Sequence, residues 1–98
     1  MIASVTSIVV SVRQHIDAGH AWLEIAYAHL EQLGIAADIS PYSYRDGDTV
    51  YLEEDCDEPL FLDAAMAAGW DIRFETVDYA AHAPLRELPR YWRAASAP

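Results

Sequence analysis

Hydrophobic and polar residues alternate in several short runs of the chain, and this alternation predicts β-strands. The first run, Val5–Arg13, is rich in β-branched residues. The second run, residues 21–25, follows a short connection that contains Gly19, so we expect these two strands to form a hairpin. Residues 70–77 alternate in the same way and predict a further strand.

Two other segments carry apolar residues at helical spacing. In the first, apolar residues recur at i, i+4 and i+7, and Gly34 follows them in the position that favours a helix C-terminus. This pattern predicts a helix over Ala26–Leu33. In the second, Pro59 suits the first turn of a helix and Gly69 suits its end. We therefore expect a second helix over Pro59–Ala68.

The clearest local signal is the dipeptide Asp46-Gly47, which β-favouring residues flank on both sides. Such a dipeptide predicts a β-hairpin with a type I′ turn, in which both central residues have a positive φ. A two-residue loop at this place puts Tyr42 opposite Tyr51. Tyr42, Tyr44 and Tyr51 then share one face of the hairpin and form a polar-aromatic surface.

These elements follow in the order β-β-α-β-β-α-β, which predicts an α+β fold with an antiparallel sheet of about five strands and two helices. A length of 98 residues favours one domain with one core. We assign residues 1–83 to this acidic α+β domain. Residues 84–98 contain prolines and arginines and predict an irregular C-terminal tail, which folds back on the acidic body or docks through Tyr91 and Trp92.

The chain is strongly acidic, with 16 Asp and Glu residues against six arginines, and its net charge is −10. This balance argues against nucleic acid or an anionic membrane as a direct partner and leaves a basic partner or none. Residues 1–79 carry fifteen acids and three arginines, a net charge of −12, whereas residues 80–98 carry a net +2. Alternatively, the acidity belongs to a whole acidic proteome and serves only solubility.

The sequence also bears on the compartment. A single cysteine cannot form an internal disulfide, and the first residues lack the pattern of a secretion signal. The longest apolar stretches are far shorter than a membrane span. We therefore expect a cytoplasmic protein with no membrane partner.

The densest chemical feature is the run Glu53–Glu58, which holds five carboxylates in six positions. A negative surface of this density can imitate the phosphates of a nucleic acid and occupy the basic groove of a protein that binds one. The alternative is a solvated loop whose carboxylates cap the following helix. The residues expected to bind a partner are seven carboxylates and three tyrosines: Asp46, Asp48, Glu53, Glu54, Asp55, Asp57, Glu58, Tyr42, Tyr44 and Tyr51.

Metal-binding and catalytic motifs do not stand out in the sequence. The acidic run lacks the spacing of an EF-hand loop, and the four histidines lack paired ligand spacing, so we predict no metal site and no cofactor. Cys56 lies among carboxylates, which raise the pKa of a thiol and oppose its use as a nucleophile. We expect no catalytic residue, and a small hydrolase with paired carboxylates is a third hypothesis.

Four segments of the chain together form a recognisable pattern: Gly19–Leu23, Leu33–Ile35, Ile39–Tyr44 and Val50–Asp57. This pattern resembles a family of small acidic proteins, without an assigned function, that phages and plasmids encode. By class, such proteins are similar to anti-CRISPR inhibitors, many of which are compact and acidic and use carboxylates to block nucleic-acid sites.

The resemblance implies a non-catalytic inhibitor in the cytoplasm of a bacterial host. Its partner would be a basic nucleic-acid-binding protein, for example a CRISPR-Cas subunit, and not nucleic acid itself. The alternative is a small interaction or regulatory module, for example a homodimer. That module would bind through its tail or an apolar sheet face, and its acidity would serve only solubility.

Overall fold

Five β-strands, two α-helices and two short 3-10 helices make up residues 8–92, the part of the chain that the computed structural model describes. The order of strands and α-helices confirms the predicted α+β fold. Residues 5–7 of the predicted first strand and residues 93–98 of the predicted tail lie outside the described residues. The strands are β1 (Val9–Ile16), β2 (Ala21–Ala26), β3 (Tyr44–Asp46), β4 (Thr49–Glu53) and β5 (Asp71–Asp78). The α-helices are α1 (Tyr27–Gln32) and α2 (Asp57–Ala67), and the 3-10 helices are Ala36–Asp38 and Pro84–Glu87.

Helix α2 begins two residues before its predicted start at Pro59. Pro59 is the third residue of the helix, where the backbone nitrogen has no acceptor within the helix in any case. At the other end, Gly69 adopts a positive φ of 79°, and such a residue commonly ends a helix. Helix α1 is one residue shorter than predicted at each end.

The five strands form one sheet in the order β3-β4-β2-β1-β5. The β3–β4, β4–β2 and β2–β1 pairs are antiparallel, but β5 pairs with β1 in parallel. The sheet is therefore mixed. The sequence pattern predicted an antiparallel sheet, and this part of the prediction is wrong. The cause is α2, which carries the chain from β4 to the opposite edge of the sheet. Such a strand–helix–strand unit brings β5 into the same direction as β4 and hence as β1.

The hairpin between β3 and β4 forms, but its turn lies one residue later than predicted. Tyr44 pairs with Tyr51 and Asp46 pairs with Thr49, so the loop residues are Gly47 and Asp48. Gly47 has a φ of 58°, and no other kind of residue in the described range has a positive φ. A type I′ turn requires two positive φ values, whereas a type II′ turn requires only a glycine at the first central position. The predicted pairing of Tyr42 with Tyr51 is therefore wrong.

One face of the sheet packs against both α-helices and forms the main core. Because successive side chains of a strand point to opposite faces, the paired strands β2 and β4 contribute every second residue to it. These strands and the two α-helices supply the members of this core with 0% exposure: Leu23, Val50, Leu52, Leu30, Phe61 and Ala65.

The C-terminal segment, residues 79–92, covers the other face of β2, β3 and β4. Trp22 and Tyr44 form a second buried cluster there with Ala83 and Leu85 of this segment. The side chains that the sequence placed on an open polar-aromatic surface are thus partly covered by the chain itself.

Tyr91 joins the C-terminal segment to the main core. Its side chain is 1% exposed, its hydroxyl donates a hydrogen bond to the Ala36 carbonyl at 2.6 Å, and its backbone N–H donates to the Ser43 carbonyl at 2.8 Å. Burial raises the pKa of Tyr91 to about 12, so the hydroxyl is a donor at neutral pH. The neighbouring Trp92 donates its indole N–H to the Ile39 carbonyl.

Asp17 fixes an earlier part of the same segment, at Ala83 and Arg86. Its side chain is fully buried and accepts hydrogen bonds from the backbone N–H groups of Gly19, His20 and Ala83. The Arg86 guanidinium donates to the two carboxylate oxygens at 2.7 and 2.9 Å. This pairing with Arg86 holds the pKa of Asp17 far below its usual range. One carboxylate therefore connects the β1–β2 turn to the C-terminal segment.

Replacing Tyr91 tests whether the C-terminal segment is part of the core. We expect Tyr91→Ala to lower the free energy of unfolding by about 3–5 kcal/mol, because it leaves a large cavity. Tyr91→Phe removes only the hydroxyl, so we expect it to cost about 1 kcal/mol. Urea unfolding followed by circular dichroism measures both values. Equal effects of the two substitutions would contradict the packing role of the ring.

Candidate functional site

The predicted acidic run forms the turn between β4 and α2, and its first carboxylate is used inside this turn. Glu53 is buried, and its carboxylate accepts hydrogen bonds from the backbone N–H of Asp55 at 2.9 Å and of Cys56 at 3.2 Å. Its backbone N–H donates to the Ser43 hydroxyl at 2.9 Å. Glu53 therefore stabilises the chain reversal that leads into α2.

Asp57 is the most deeply buried carboxylate of the predicted binding set, with 2% exposure. It accepts hydrogen bonds from the backbone N–H of Ser40 at 2.9 Å and from the Ser40 hydroxyl at 2.7 Å. The Ser43 hydroxyl donates to it as well. Asp57 thus connects the first residue of α2 to the segment that precedes β3, which is a structural role.

Glu58 is also buried and accepts a hydrogen bond from the Gln14 side-chain amide of β1 at 3.1 Å. Burial raises the pKa of Glu58, while the hydrogen bond from Gln14 acts in the opposite direction. Three of the seven predicted carboxylates, Glu53, Asp57 and Glu58, therefore face inward and do not contribute to an open negative surface.

The other four predicted carboxylates lie at the surface, in two groups. Asp46 ends β3 and Asp48 lies in the turn between β3 and β4, whereas Glu54 and Asp55 lie in the turn after β4. The five-residue strand between these turns is about 17 Å long. The sequence indicated one dense patch, but the strand divides the exposed carboxylates between its two ends.

The three predicted tyrosines have different environments. Tyr42 is 59% exposed. Tyr44 is buried beside Trp22, and the Arg90 guanidinium lies 4.4 Å from the centre of its ring. Tyr51 is half-buried against the His15 ring. Tyr42 is therefore the member of this set that offers most of its side chain to a partner.

A cavity of about 310 Å³ opens where the β4–α2 turn meets the C-terminal segment. Its walls combine aromatic rings, two arginines, two carboxylates, a histidine and a thiol. The residues that line it are His20, Trp22, Tyr42, Tyr44, Glu53, Asp55, Cys56, Arg86 and Arg90.

Three potential metal ligands meet in this cavity. The ligand atoms of His20, Glu53 and Asp55 all lie within 4.8 Å of one another. The register between β2 and β4 brings them together, because Trp22 is opposite Glu53 and two more steps along this register place His20 opposite Asp55. The N–H of Glu54 donates to the Ala21 carbonyl at 3.1 Å and extends the pairing in that direction.

Sequence reasoning missed His20 because it treated the four histidines by their spacing along the chain. The signal that identifies this residue is the pairing of β2 with β4, and hydrophobic periodicity does not reveal which strands are neighbours. Once that pairing is known, residues 20 and 55 follow from the register alone.

Cys56 lines the same cavity, and its environment opposes ionisation. Desolvation, followed by the nearby carboxylates of Glu53 and Asp57, raises the pKa of the Cys56 thiol. This direction agrees with the expectation from the acidic sequence around it. A thiol in such a setting is a poor thiolate nucleophile.

A second cluster of polar side chains lies beneath the C-terminal segment. His15 is buried, with Nε2 at 2.7 Å from a Glu24 carboxylate oxygen and Nδ1 at 2.8 Å from the Tyr79 hydroxyl. In a neutral ring that donates from Nε2 to Glu24, Nδ1 accepts the hydrogen bond of Tyr79. Both ring nitrogens are therefore satisfied. No local sequence signal indicates these three residues as a cluster, because they lie on β1, on β2 and just after β5.

Comparison with known proteins finds no matching family model, no matching curated protein and no matching solved structure. Neither α-helix of residues 8–92 is long and apolar enough to cross a membrane.

Replacing Glu58 tests the effect of its burial on stability. Because the pKa of Glu58 is raised in the folded state, the protonated form favours folding, and wild-type stability decreases as the pH rises above the ordinary glutamate range. We expect Glu58→Gln to be at least as stable as the wild type at pH 7. Its advantage should shrink as the pH falls toward 4.5, the ordinary pKa of the group, and should be lost below that pH. Thermal unfolding from pH 4 to pH 8 measures this difference, and an advantage that grows toward low pH would contradict it.

Proposed function

We propose that this chain is a non-catalytic inhibitor that binds a basic nucleic-acid-binding protein through its exposed carboxylates. The proposal rests on a difference between the two kinds of charged side chain. Within the described part of the chain, the surface carboxylates of the predicted set have no arginine partner, whereas the arginines have contacts inside the chain. Asp46, Asp48, Glu54 and Asp55 have no arginine partner within residues 8–92. Their negative charge is therefore directed at solvent.

The arginines of residues 8–92 each have contacts inside the chain. Arg86 pairs with Asp17, and Arg73 pairs with Asp71 at 2.6 Å. Arg13 lies 4.0 Å from Glu75. The other two bind backbone carbonyls and cover aromatic rings: Arg45 on Gly47 and Tyr27, and Arg90 on Tyr42 and Tyr44. Carboxylates outnumber arginines sixteen to five in residues 8–92, and this excess leaves a field that attracts cationic partners and repels nucleic acid.

The positions of the two acidic groups at the ends of β4 determine which kind of partner surface can bind this chain. Hydrogen bonds fix the backbone at both ends of β4, in the β3–β4 turn and in the turn that Glu53 stabilises. Each of these turns presents carboxylates. A basic groove that normally holds phosphates can contact both groups at once. With the resemblance to phage and plasmid proteins, this supports an anti-CRISPR-like DNA mimic that acts in the cytoplasm of a bacterial host.

A charge-reversal pair of variants tests the proposal. The test variant changes the four surface carboxylates to arginine, of which Glu54 is half-buried and the other three are exposed: Asp46→Arg, Asp48→Arg, Glu54→Arg and Asp55→Arg. The control reverses four exposed carboxylates elsewhere and has the same net charge: Glu31→Arg, Asp38→Arg, Asp63→Arg and Glu87→Arg. A partner is first captured from a bacterial lysate with the wild-type protein and identified, and its binding is then measured with purified proteins.

We expect the captured partner to be a basic protein that DNA displaces, with an affinity that falls steeply as salt increases. The test variant should bind about 100-fold more weakly, whereas the control should lose much less. Circular dichroism confirms that both variants fold. Retained affinity in the test variant, or equal losses in both, would reject a localised acidic interface.

A second candidate function rests on an exposed apolar edge. Phe74 on the edge strand β5 is 52% exposed, and Met66 on α2 is 75% exposed beside it. An antiparallel pair of β5 strands centred on Phe74 would place Arg73 of one chain opposite Glu75 of the second. These features favour a homodimeric interaction module whose acidity serves solubility.

Sedimentation velocity separates this candidate from a monomeric inhibitor. For the homodimer, we expect a concentration-dependent dimer that Phe74→Glu converts to monomer, because the substitution places a charge at the centre of the interface. Glu75→Gln serves as a milder variant on the same strand. A monomer at all concentrations would reject the second candidate.

A further inference from the structure

We propose that His20, Glu53 and Asp55 form a binding site for one divalent transition-metal ion of the zinc type. The proposal does not depend on the inhibitor function, because it concerns binding of the metal alone. Its starting observation is that the three ligand atoms lie within 4.8 Å of one another at the wall of a cavity.

The three ligands come from two different turns, and hydrogen bonds position both turns. The backbone N–H of His20 donates to Asp17 at 3.0 Å, which fixes the β1–β2 turn. The Glu53 carboxylate is held by the N–H groups of Asp55 and Cys56, which fixes the β4–α2 turn. Each carboxylate oxygen has two lone pairs, so Glu53 can bind a cation while it keeps these contacts.

The side chains can close on an ion with little rearrangement of the backbone. His20 and Asp55 are exposed, so their side chains are free to adjust from the observed spacing to coordination distances near 2 Å. Glu53 is buried and supplies the fixed member of the set. One fixed ligand and two adjustable ligands are sufficient for a site that assembles on binding.

The ligand types determine the class of metal. Calcium and magnesium prefer oxygen ligands alone, whereas an imidazole nitrogen with two carboxylates suits zinc and its neighbours in the first transition series. Three protein ligands leave at least one position of a tetrahedral site for water or another small ligand.

The cavity also has an unsatisfied donor close to this site. Trp22 lines the cavity and lies beside the His20 ring, and its buried indole Nε1 has no hydrogen-bond partner among the described residues. Unsatisfied buried donors are rare, and this N–H needs an acceptor, which a water or hydroxide carried by the ion would supply and the ion itself would not. The cavity wall is therefore consistent with a site that a further group occupies.

Isothermal titration calorimetry with zinc chloride tests the proposal on the full chain after chelator treatment. We expect one zinc ion per chain and no detectable binding of magnesium at the same concentrations. His20→Gln and Asp55→Asn should each weaken zinc binding by about 10- to 100-fold or more, since loss of even an outer partner of a ligand has this effect. His82→Gln and Asp63→Asn, which change exposed residues elsewhere, should retain wild-type affinity.

Cys56→Ser and thermal unfolding complete the test. Because the proposed ligands do not include the thiol, Cys56→Ser should still bind zinc, and zinc should raise the melting temperature of the wild type and of this variant. Unchanged zinc binding in His20→Gln would overturn the proposal. Equal affinity of the wild type for zinc and magnesium would also overturn it, as would zinc binding that is lost in Cys56→Ser and in no other variant. Circular dichroism of each variant without metal separates lost binding from lost folding, and the charge-reversal experiment on the partner has no influence on this outcome.

Discussion

The hydrogen bonds of the Asp17 carboxylate are the interaction on which the layer opposite the helices depends. The helices cover only one face of the sheet, so the other face requires the C-terminal segment, which Asp17 binds through Ala83 and Arg86. The same carboxylate also holds the backbone of His20. One buried acid just after β1 therefore anchors the segment that covers the aromatic cluster around Trp22 and borders the cavity beside it.

The acidic composition has an internal use as well as an external one. The chain has no asparagine and no lysine, and carboxylates perform the capping and linking roles that neutral amides often share. Asp17, Glu53 and Asp57 each accept two or more hydrogen bonds from the backbone or from hydroxyl groups. The net charge of −10 consequently overstates the negative surface that a partner meets.

Local patterns predicted the elements well, whereas the relations between distant elements were beyond them. The alternation in β1 and β2, the glycine at position 34 and the glycine in the β3–β4 turn all depend on neighbouring residues, and these elements are present. The parallel pairing of β5 with β1 and the proximity of His20 to Glu53 depend on which strands become neighbours. Burial of Asp57 depends on Ser40 and Ser43, and no local signal distinguishes such an inward carboxylate from a solvated one.

The parallel β1–β5 pair has a consequence for synthesis on the ribosome. Val9 pairs with Asp71 and Ile16 with Asp78. The edge of β1 that binds β5 therefore stays unpaired until β5 leaves the exit tunnel, some sixty residues later. During that interval one edge of β1 is open, and an open edge of β-branched residues readily pairs with other chains. Long-range pairing of this kind also slows folding. The nascent chain therefore exposes this edge to aggregation until its last strand is made.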